Sequence, residues 1–221
     1  MRKQIAVILG ILAISAALIF AASFYGNRNQ FVFSEHLEDA VFTLDGREYS
    51  LHEMAYYIAR QEYQIEEQAK IYDAEDTNKY WALHINGKFV RLRGKENAKD
   101  AAIHDMLLYM EAEKQGIVLD EEEKQYAENA ASDLCYDLGE EQMERAELTE
   151  ESIYAMTERA ALAEKYQEML AEENDRNFGA FDYSGTAYKE MLKEHELEVN
   201  EDLWEDVPFG NVAYNHRFES R

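Results

Sequence analysis

The scarcity of residues that break helices is the feature that most constrains this fold. The chain has one Pro and ten Gly among 221 residues, which is too few for the many turns of an all-β sandwich or barrel. Ser50 with Glu53 and Asp120 with Glu123 form capping boxes, and Thr149 is a further N-cap residue. The sequence therefore predicts a mainly α-helical fold.

Apolar residues recur at helical spacing after each of these helix starts. The predicted helices begin at Leu51, at about Glu96, after Asp120 and after Thr149, the second ending near Gln115 and the third breaking at Gly139. Residues 72–95 lose this period and contain Asn86-Gly87. This stretch is predicted to be a loop or a small hairpin, with Tyr80 and Trp81 as packing anchors.

Shorter segments of the chain complete the predicted organisation. Residues 41–49 are predicted to be extended and to turn on Asp45-Gly46, and residues 196–199 are predicted to be a second extended segment. The expected divisions are a signal anchor or signal peptide at 1–26, a tether at 27–40, a helical domain at 41–173, a linker at 174–185 and a closing helix and strand unit at 186–221.

The N-terminal 26 residues have the pattern of a membrane signal. Arg2 and Lys3 precede an uncharged run from Ile5 to Tyr25, and a basic start before an apolar run is typical of secretory targeting. The run is close to the about 20 residues that cross a bilayer as a helix, but a cleavage after Ser23 is also compatible with it. Because more positive charge precedes the run than follows it, we expect the N-terminus in the cytoplasm. The predicted location is the cell membrane, single-pass, with the bulk of the chain on the extracytoplasmic side, or secreted if the signal is cleaved.

The charge balance excludes one class of partner. There are 46 Asp and Glu against 22 Lys and Arg, a formal net charge of −24. Nucleic acid would be repelled, because few cations are present to release counterions from its phosphates. The same charge keeps a protein with apolar surface soluble and attracts basic polypeptides or divalent cations.

No pattern that carries enzymatic chemistry is found in the sequence. The six His residues do not form a pair at the spacing of a zinc site, and neither a nucleophile elbow nor a phosphate-binding Gly loop is present. The single cysteine, Cys135, stands between Asp133 and Asp137, whose charges would raise its thiol pKa. We therefore predict no catalytic residue, no metal and no cofactor.

An ordered set of motifs resembles the SurA/PrsA-type extracytoplasmic chaperones. The matching segments are Val41 to Ser50 before the first helix, Glu111 to Ile117 with the acidic residues that follow, Leu148-Thr149-Glu150-Glu151, and Tyr188 to Leu192 with Glu196 to Asn200. The resemblance covers about residues 41–173 and 186–207. It implies a SurA N-terminal-like helical domain, and a closing unit that packs back on it so that the segments near 41–49 and 196–199 form a small β element.

The resemblance also has one departure. Members of this family usually carry a parvulin-type peptidyl-prolyl isomerase domain of about a hundred residues, whereas only residues 174–185 lie between the fourth helix and the closing unit here. The implied function is therefore a membrane-anchored chaperone or foldase-like protein that binds unfolded secreted polypeptides without catalysis. Two alternatives remain open: a scaffold that binds one specific cell-surface partner, and a protein related to the peptidyl-prolyl isomerases. An oligomer is compatible with each function.

Aromatic and Met side chains on the predicted helices are the candidates for binding unfolded polypeptides, since such surfaces hold varied segments by apolar burial. The candidate client-binding residues are Tyr56, Tyr57, Tyr63, Trp81, Tyr109, Met110, Tyr154 and Met169. The alternative for each of them is a place in the hydrophobic core, because apolar stripes at helical spacing usually face a core.

Overall fold

The computed structural model describes residues 31–216, and this part of the chain is mainly helical with small antiparallel sheets. The predicted signal anchor or signal peptide, residues 1–26, lies outside the described residues. Within residues 31–216, every helix is too short or too polar to cross a membrane.

The regular elements follow one another in a simple order. Helices α1 to α7 span Leu51–Tyr72, Asn78–Trp81, Val90–Lys114, Glu121–Arg145, Glu150–Glu173, Thr186–Leu192 and Glu201–Asp206. Strands β1 to β5 span Ala40–Leu44, Arg47–Ser50, His84–Ile85, Lys88–Phe89 and Leu197–Val199. Two short 3₁₀ turns lie at Phe33–Glu35 and Phe178–Phe181.

The predicted helix starts are confirmed where a side chain caps the helix. Ser50 and Glu53 form a reciprocal capping box at α1, and Asp120 and Glu123 form one at α4. Thr149 caps α5 through the same reciprocal pattern with Ser152. Each box supplies partners for backbone N–H groups that the first helical turn leaves unpaired.

Helix α3 begins at Val90, six residues before the predicted start near Glu96. Gly94 therefore lies inside the helix, where a glycine normally costs about 1 kcal/mol relative to alanine. Its role is steric: a Cβ at this position would overlap Ile65 of α1 and stand 2.8 Å from the ring of Phe209. The missing side chain lets α1 and the C-terminal segment approach α3 closely.

Helix α4 changes direction at the predicted position. Gly139 has φ 75° and ψ 167°, a backbone conformation that glycine adopts at little cost. The helix resumes beyond this kink and continues to Arg145. The predicted break is therefore a kink within one helix.

The first and last parts of the described chain meet in a three-stranded sheet with the order β2-β1-β5. Strand β1 pairs antiparallel with β2, and on its other side Phe42 pairs with Val199 and Leu44 with Leu197. The segments near 41–49 and 196–199 thus form the expected β element. Leu44, the last residue of β1, is completely buried.

The segment 207–216 has no regular secondary structure, and charged side chains of neighbouring helices supply many of its hydrogen bonds. The carboxylate of Glu62, on α1, is completely buried. It accepts backbone N–H bonds from Gly210 at 2.5 Å, Val212 at 3.3 Å, Ala213 at 2.8 Å and Tyr214 at 3.2 Å. A buried carboxylate requires such compensation, because burial without it is costly.

Cations on the neighbouring helices bind the carbonyl groups of the same region. Arg145 of α4 donates to the carbonyl oxygens of Asn211, Ala213 and Tyr214. Lys95 of α3 donates to that of Val207 at 2.8 Å. The segment 207–216 is therefore attached to three helices through its own backbone.

A buried polar cluster lies at the end of this segment. Glu66 Oε2 accepts a hydrogen bond from Trp81 Nε1 at 2.9 Å and lies 2.9 Å from His216 Nε2. The other ring nitrogen of His216 is 3.1 Å from Asn78 Oδ1. Trp81 is thus a packing anchor, as predicted, and also contacts the ring of Phe209, with 5.9 Å between the ring centroids.

Candidate functional site

A cleft of about 850 Å³ lies among α1, α3, α4, α5 and the 3₁₀ turn Phe178–Phe181. Small side chains create much of its space, because alanines on three helices stand where larger residues would fill it. These are Ala98, Ala101, Ala127, Ala130, Ala160 and Ala161. The volume is in the range of sites that bind a small molecule or a short peptide segment.

Aromatic side chains contribute a second part of the wall. Tyr56 and Tyr57 of α1, Tyr126 of α4, and Phe178 and Tyr183 beyond α5 all line the cleft. Tyr126 is 67% exposed and Phe178 is 43% exposed. The cleft therefore joins buried tyrosines to aromatic rings that solvent reaches, a combination suited to apolar and amphipathic ligands.

The two buried tyrosines differ in their hydrogen bonds. The hydroxyl of Tyr56 accepts a bond from Thr157 Oγ1 at 3.3 Å. The hydroxyl of Tyr57 is completely buried and interacts with the side chain of Asp105. Burial, together with the nearby charge of Asp105, raises the pKa of Tyr57 well above its usual range. Tyr57 therefore remains a neutral phenol beside the Asp105 carboxylate.

A buried His–Asp pair stands beside these tyrosines. His104 Nδ1 lies 2.8 Å from Asp105 Oδ1, and His104 Nε2 lies 2.9 Å from the carbonyl oxygen of Phe181. Burial alone lowers the pKa of His104, but the carboxylate and the carbonyl together outweigh it and the net shift is upward. Since both ring nitrogens face acceptors, the geometry suits the doubly protonated ring.

The same histidine helps to attach the linker 174–185 to the helices. Its bond to Phe181 and a second bond, from Gln167 Nε2 of α5 to the carbonyl oxygen of Phe178 at 3.1 Å, hold the two ends of the 3₁₀ turn. Both bonds use the backbone of the turn. The ring of Phe178 is therefore left at the surface of the cleft.

The charged groups of the cleft fall into paired and unpaired sets. Lys165 bonds to Glu123 at 2.6 Å, and Asp105 is paired with His104. Glu164 and Glu168, also on α5, have no hydrogen bond or ion pair within residues 31–216 and are exposed. The unpaired carboxylates make this wall negative.

The eight candidate client-binding residues are not brought together in one place. Tyr56 and Tyr57 line the cleft. Trp81 is completely buried and Met110 is 8% exposed, so both belong to the packed interior. Tyr109 is half-buried and donates to Glu113 at 2.6 Å. Outside the cleft, Tyr63 and Met169 are half-buried and Tyr154 is 37% exposed.

Several residues of the cleft were not identified from the sequence. Ala130, on α4, is exposed and borders the cleft. Phe178 and Tyr183 lie in the predicted linker 174–185, and three aromatic residues in so short a polar linker are the signal that was available. His104 has a structural role, because it bonds to the backbone of Phe181.

The described residues hold no group of three or more potential metal ligands. Cys135, on α4, is half-buried, and burial is the main cause that raises the pKa of its thiol. This environment does not favour a thiolate nucleophile.

Comparison with known protein families, with curated protein sequences and with solved structures gives no match.

Proposed function

We propose that this protein captures unfolded polypeptide segments in the cleft among α1, α3, α4 and α5, and releases them without chemical change. The observation that carries the proposal is the cleft itself, with its alanine floor, its tyrosine walls and the partly exposed ring of Phe178. Apolar and aromatic surface of this kind binds segments of varied sequence through non-directional burial.

Helix α4 adds a second line of support. Only Ala127, Ala131 and Leu138 are buried among its 25 residues. Elements with few buried apolar contacts open at low free energy. The exposed side chains that this helix presents to the cleft, Tyr126 and Ala130, can adjust to segments of different bulk, which a capture site for unfolded segments requires.

The sequence resemblance to SurA/PrsA-type chaperones agrees with this function, and the N-terminal signal would place the cleft on the extracytoplasmic side of the membrane. The clients would then be unfolded or partly folded secreted polypeptides. A non-catalytic mode is favoured because both ring nitrogens of His104 are already engaged, one with the carboxylate of Asp105 and the other with the backbone carbonyl of Phe181.

The test is suppression of aggregation by the purified full chain. We expect near-stoichiometric protection of several unrelated denatured proteins. The variant Ala130→Trp places a large ring at an exposed position of the cleft wall and should abolish protection. Its matched control, Ser132→Trp, makes the same change in size at another exposed position of α4 that does not line the cleft, and should protect normally.

Other outcomes separate the alternatives. Protection of no client, together with binding to one folded surface protein, would contradict capture and favour the scaffold. Equal protection by the two Trp variants would exclude the cleft as the capture site. Faster refolding of a proline-limited client would favour an isomerase, since uncatalysed isomerisation takes tens to hundreds of seconds.

A further inference from the structure

One face of α5 carries a row of like charges. Glu164, Glu168 and Glu172 follow each other at four-residue spacing, which makes them neighbours on the helix surface and destabilises the helix slightly. Glu164 and Glu168 line the cleft, and Glu168 and Glu172 line a second cavity beside Phe178. The row thus borders the cleft and continues past the 3₁₀ turn.

The other charges of the cleft do not neutralise this row. Lys165 is bound to Glu123 and His104 to Asp105. Once these pairs are set aside, Glu164, Glu168 and Asp182 remain against the single cation Arg60. A ligand with positive charge would therefore gain more from this wall than it loses to Arg60.

We propose that the cleft selects basic segments of unfolded polypeptides, in which Lys or Arg stands next to apolar or aromatic residues. The apolar side chains lie against the alanines and tyrosines, and the cation lies at Glu164 and Glu168. This selection rests on the proposed function. The formal charge of −24 on the chain adds a long-range attraction that speeds the encounter.

The test uses three labelled, unstructured peptides of equal length with the same apolar and aromatic residues. The remaining positions are Lys and Arg in the first, Ser and Gln in the second, and Asp and Glu in the third. Binding to the full chain is measured by fluorescence anisotropy. We expect the basic peptide to bind about tenfold more tightly than the neutral one and the acidic one most weakly, as charge complementarity at a partly exposed site predicts.

Variants then locate the selection. The double variant Glu164→Gln/Glu168→Gln should weaken binding of the basic peptide roughly threefold to tenfold and leave the neutral peptide unchanged. The control Glu140→Gln/Glu158→Gln removes the same charge from exposed positions that do not line the cleft.

Each remaining result overturns a defined claim. Equal binding of the basic and neutral peptides removes the charge selection but leaves capture in place. An equal loss in the two double variants removes the role of Glu164 and Glu168, since overall charge would then suffice. Failure of every peptide to bind would overturn both the selection and the proposed capture function.

Discussion

At the scale of single residues, the buried carboxylate of Glu62 is the most consequential group described. It follows Ile58 by one helical turn on the buried face of α1 and has no exposed surface. Complete burial raises its pKa to about 7, although four backbone N–H groups oppose the shift. The folded protein therefore takes up a proton on Glu62 at a higher pH than the unfolded chain does.

This shift predicts a pH dependence of stability. Because the folded-state pKa of Glu62 is about 7 and its ordinary value is 4.5, the free energy of unfolding should fall as pH rises across that window, by about 3 kcal/mol from this group. Glu62→Gln should be less stable at low pH but should lack this decline. Urea unfolding from pH 4 to pH 8, with exposed Glu158→Gln as control, measures the difference. Parallel curves for the wild type and Glu62→Gln would contradict the prediction.

A second prediction concerns the contact at Gly94. The substitution Gly94→Ala improves helix propensity and should stabilise an open helix by about 1 kcal/mol. Here we expect the opposite sign, a loss of about 1–3 kcal/mol, because the added methyl group overlaps Ile65 and approaches Phe209. Chemical unfolding measures the change. Adding Phe209→Leu should recover part of the loss, and a stabilised Gly94→Ala variant would exclude the close approach.

At the scale of elements, the irregular segment 207–216 depends on side chains of other elements for its hydrogen bonds. A helix or strand satisfies its backbone through its own pattern, whereas this segment combines a few local turns with bonds to Glu62, Arg145 and Lys95. Its order is therefore coupled to α1, α3 and α4. Loss of one of these partners should loosen the whole segment.

The substitution Arg145→Ala tests this dependence. It removes hydrogen bonds to three carbonyl groups, and bonds from a charged donor contribute about 1.5–3 kcal/mol. We expect a stability loss of that size and faster hydrogen exchange at the amides of Gly210, Ala213 and Tyr214. Exposed Arg176→Ala is the control and should change neither quantity. Unchanged protection of these three amides in Arg145→Ala would show that Arg145 is not needed to hold the segment.

At the scale of the whole molecule, the charge imbalance opposes folding. The formal charge of −24 repels itself more strongly in the compact state than in the expanded chain. Described ion pairs such as Lys88–Glu96 and Lys70–Glu67 are largely exposed, and pairs of this kind contribute little. Repulsion should therefore outweigh surface pairing.

This balance predicts stabilisation by salt. Raising the ionic strength from about 0.01 M to about 0.15 M shortens the Debye length from about 30 Å to about 8 Å, so repulsion among the carboxylates weakens. We expect Tm to rise by at least about 2 °C, as measured by thermal unfolding at fixed pH. The charge-reversal variant Glu140→Lys/Glu158→Lys should respond less. A fall in Tm with added salt would mean that the ion pairs outweigh the repulsion.

Much of the helical framework could be predicted because its signals are local. Ser50, Asp120 and Thr149 cap helices through groups only two or three residues away, and Gly139 changes the backbone at its own position. The start of α3 lacked such a signal, since Phe89 makes no side-chain capping bond. Val90 instead donates its N–H to the carbonyl oxygen of Leu83, a contact across the base of the β3–β4 hairpin that no capping motif announces.

The candidate site depended on contacts that no local pattern records. Tyr57, Ala130, Glu164 and Phe178 come from four different parts of the chain, and only packing of the helices puts them around one cleft. The same holds for Trp81, which was considered for client binding and lies in the interior.

The sequence by itself determined the helical character of the protein, the starts of its capped helices, the turn positions and the strongly acidic surface, because each follows from residues that are close together along the chain or from composition. The tertiary structure alone decided which tyrosines line the cleft, which carboxylates stay unpaired and how Glu62 binds the segment 207–216. These features require groups up to about 150 residues apart in the sequence to come within hydrogen-bonding distance. The burial of a side chain, and its distance from residues far along the chain, are set only when the chain has folded.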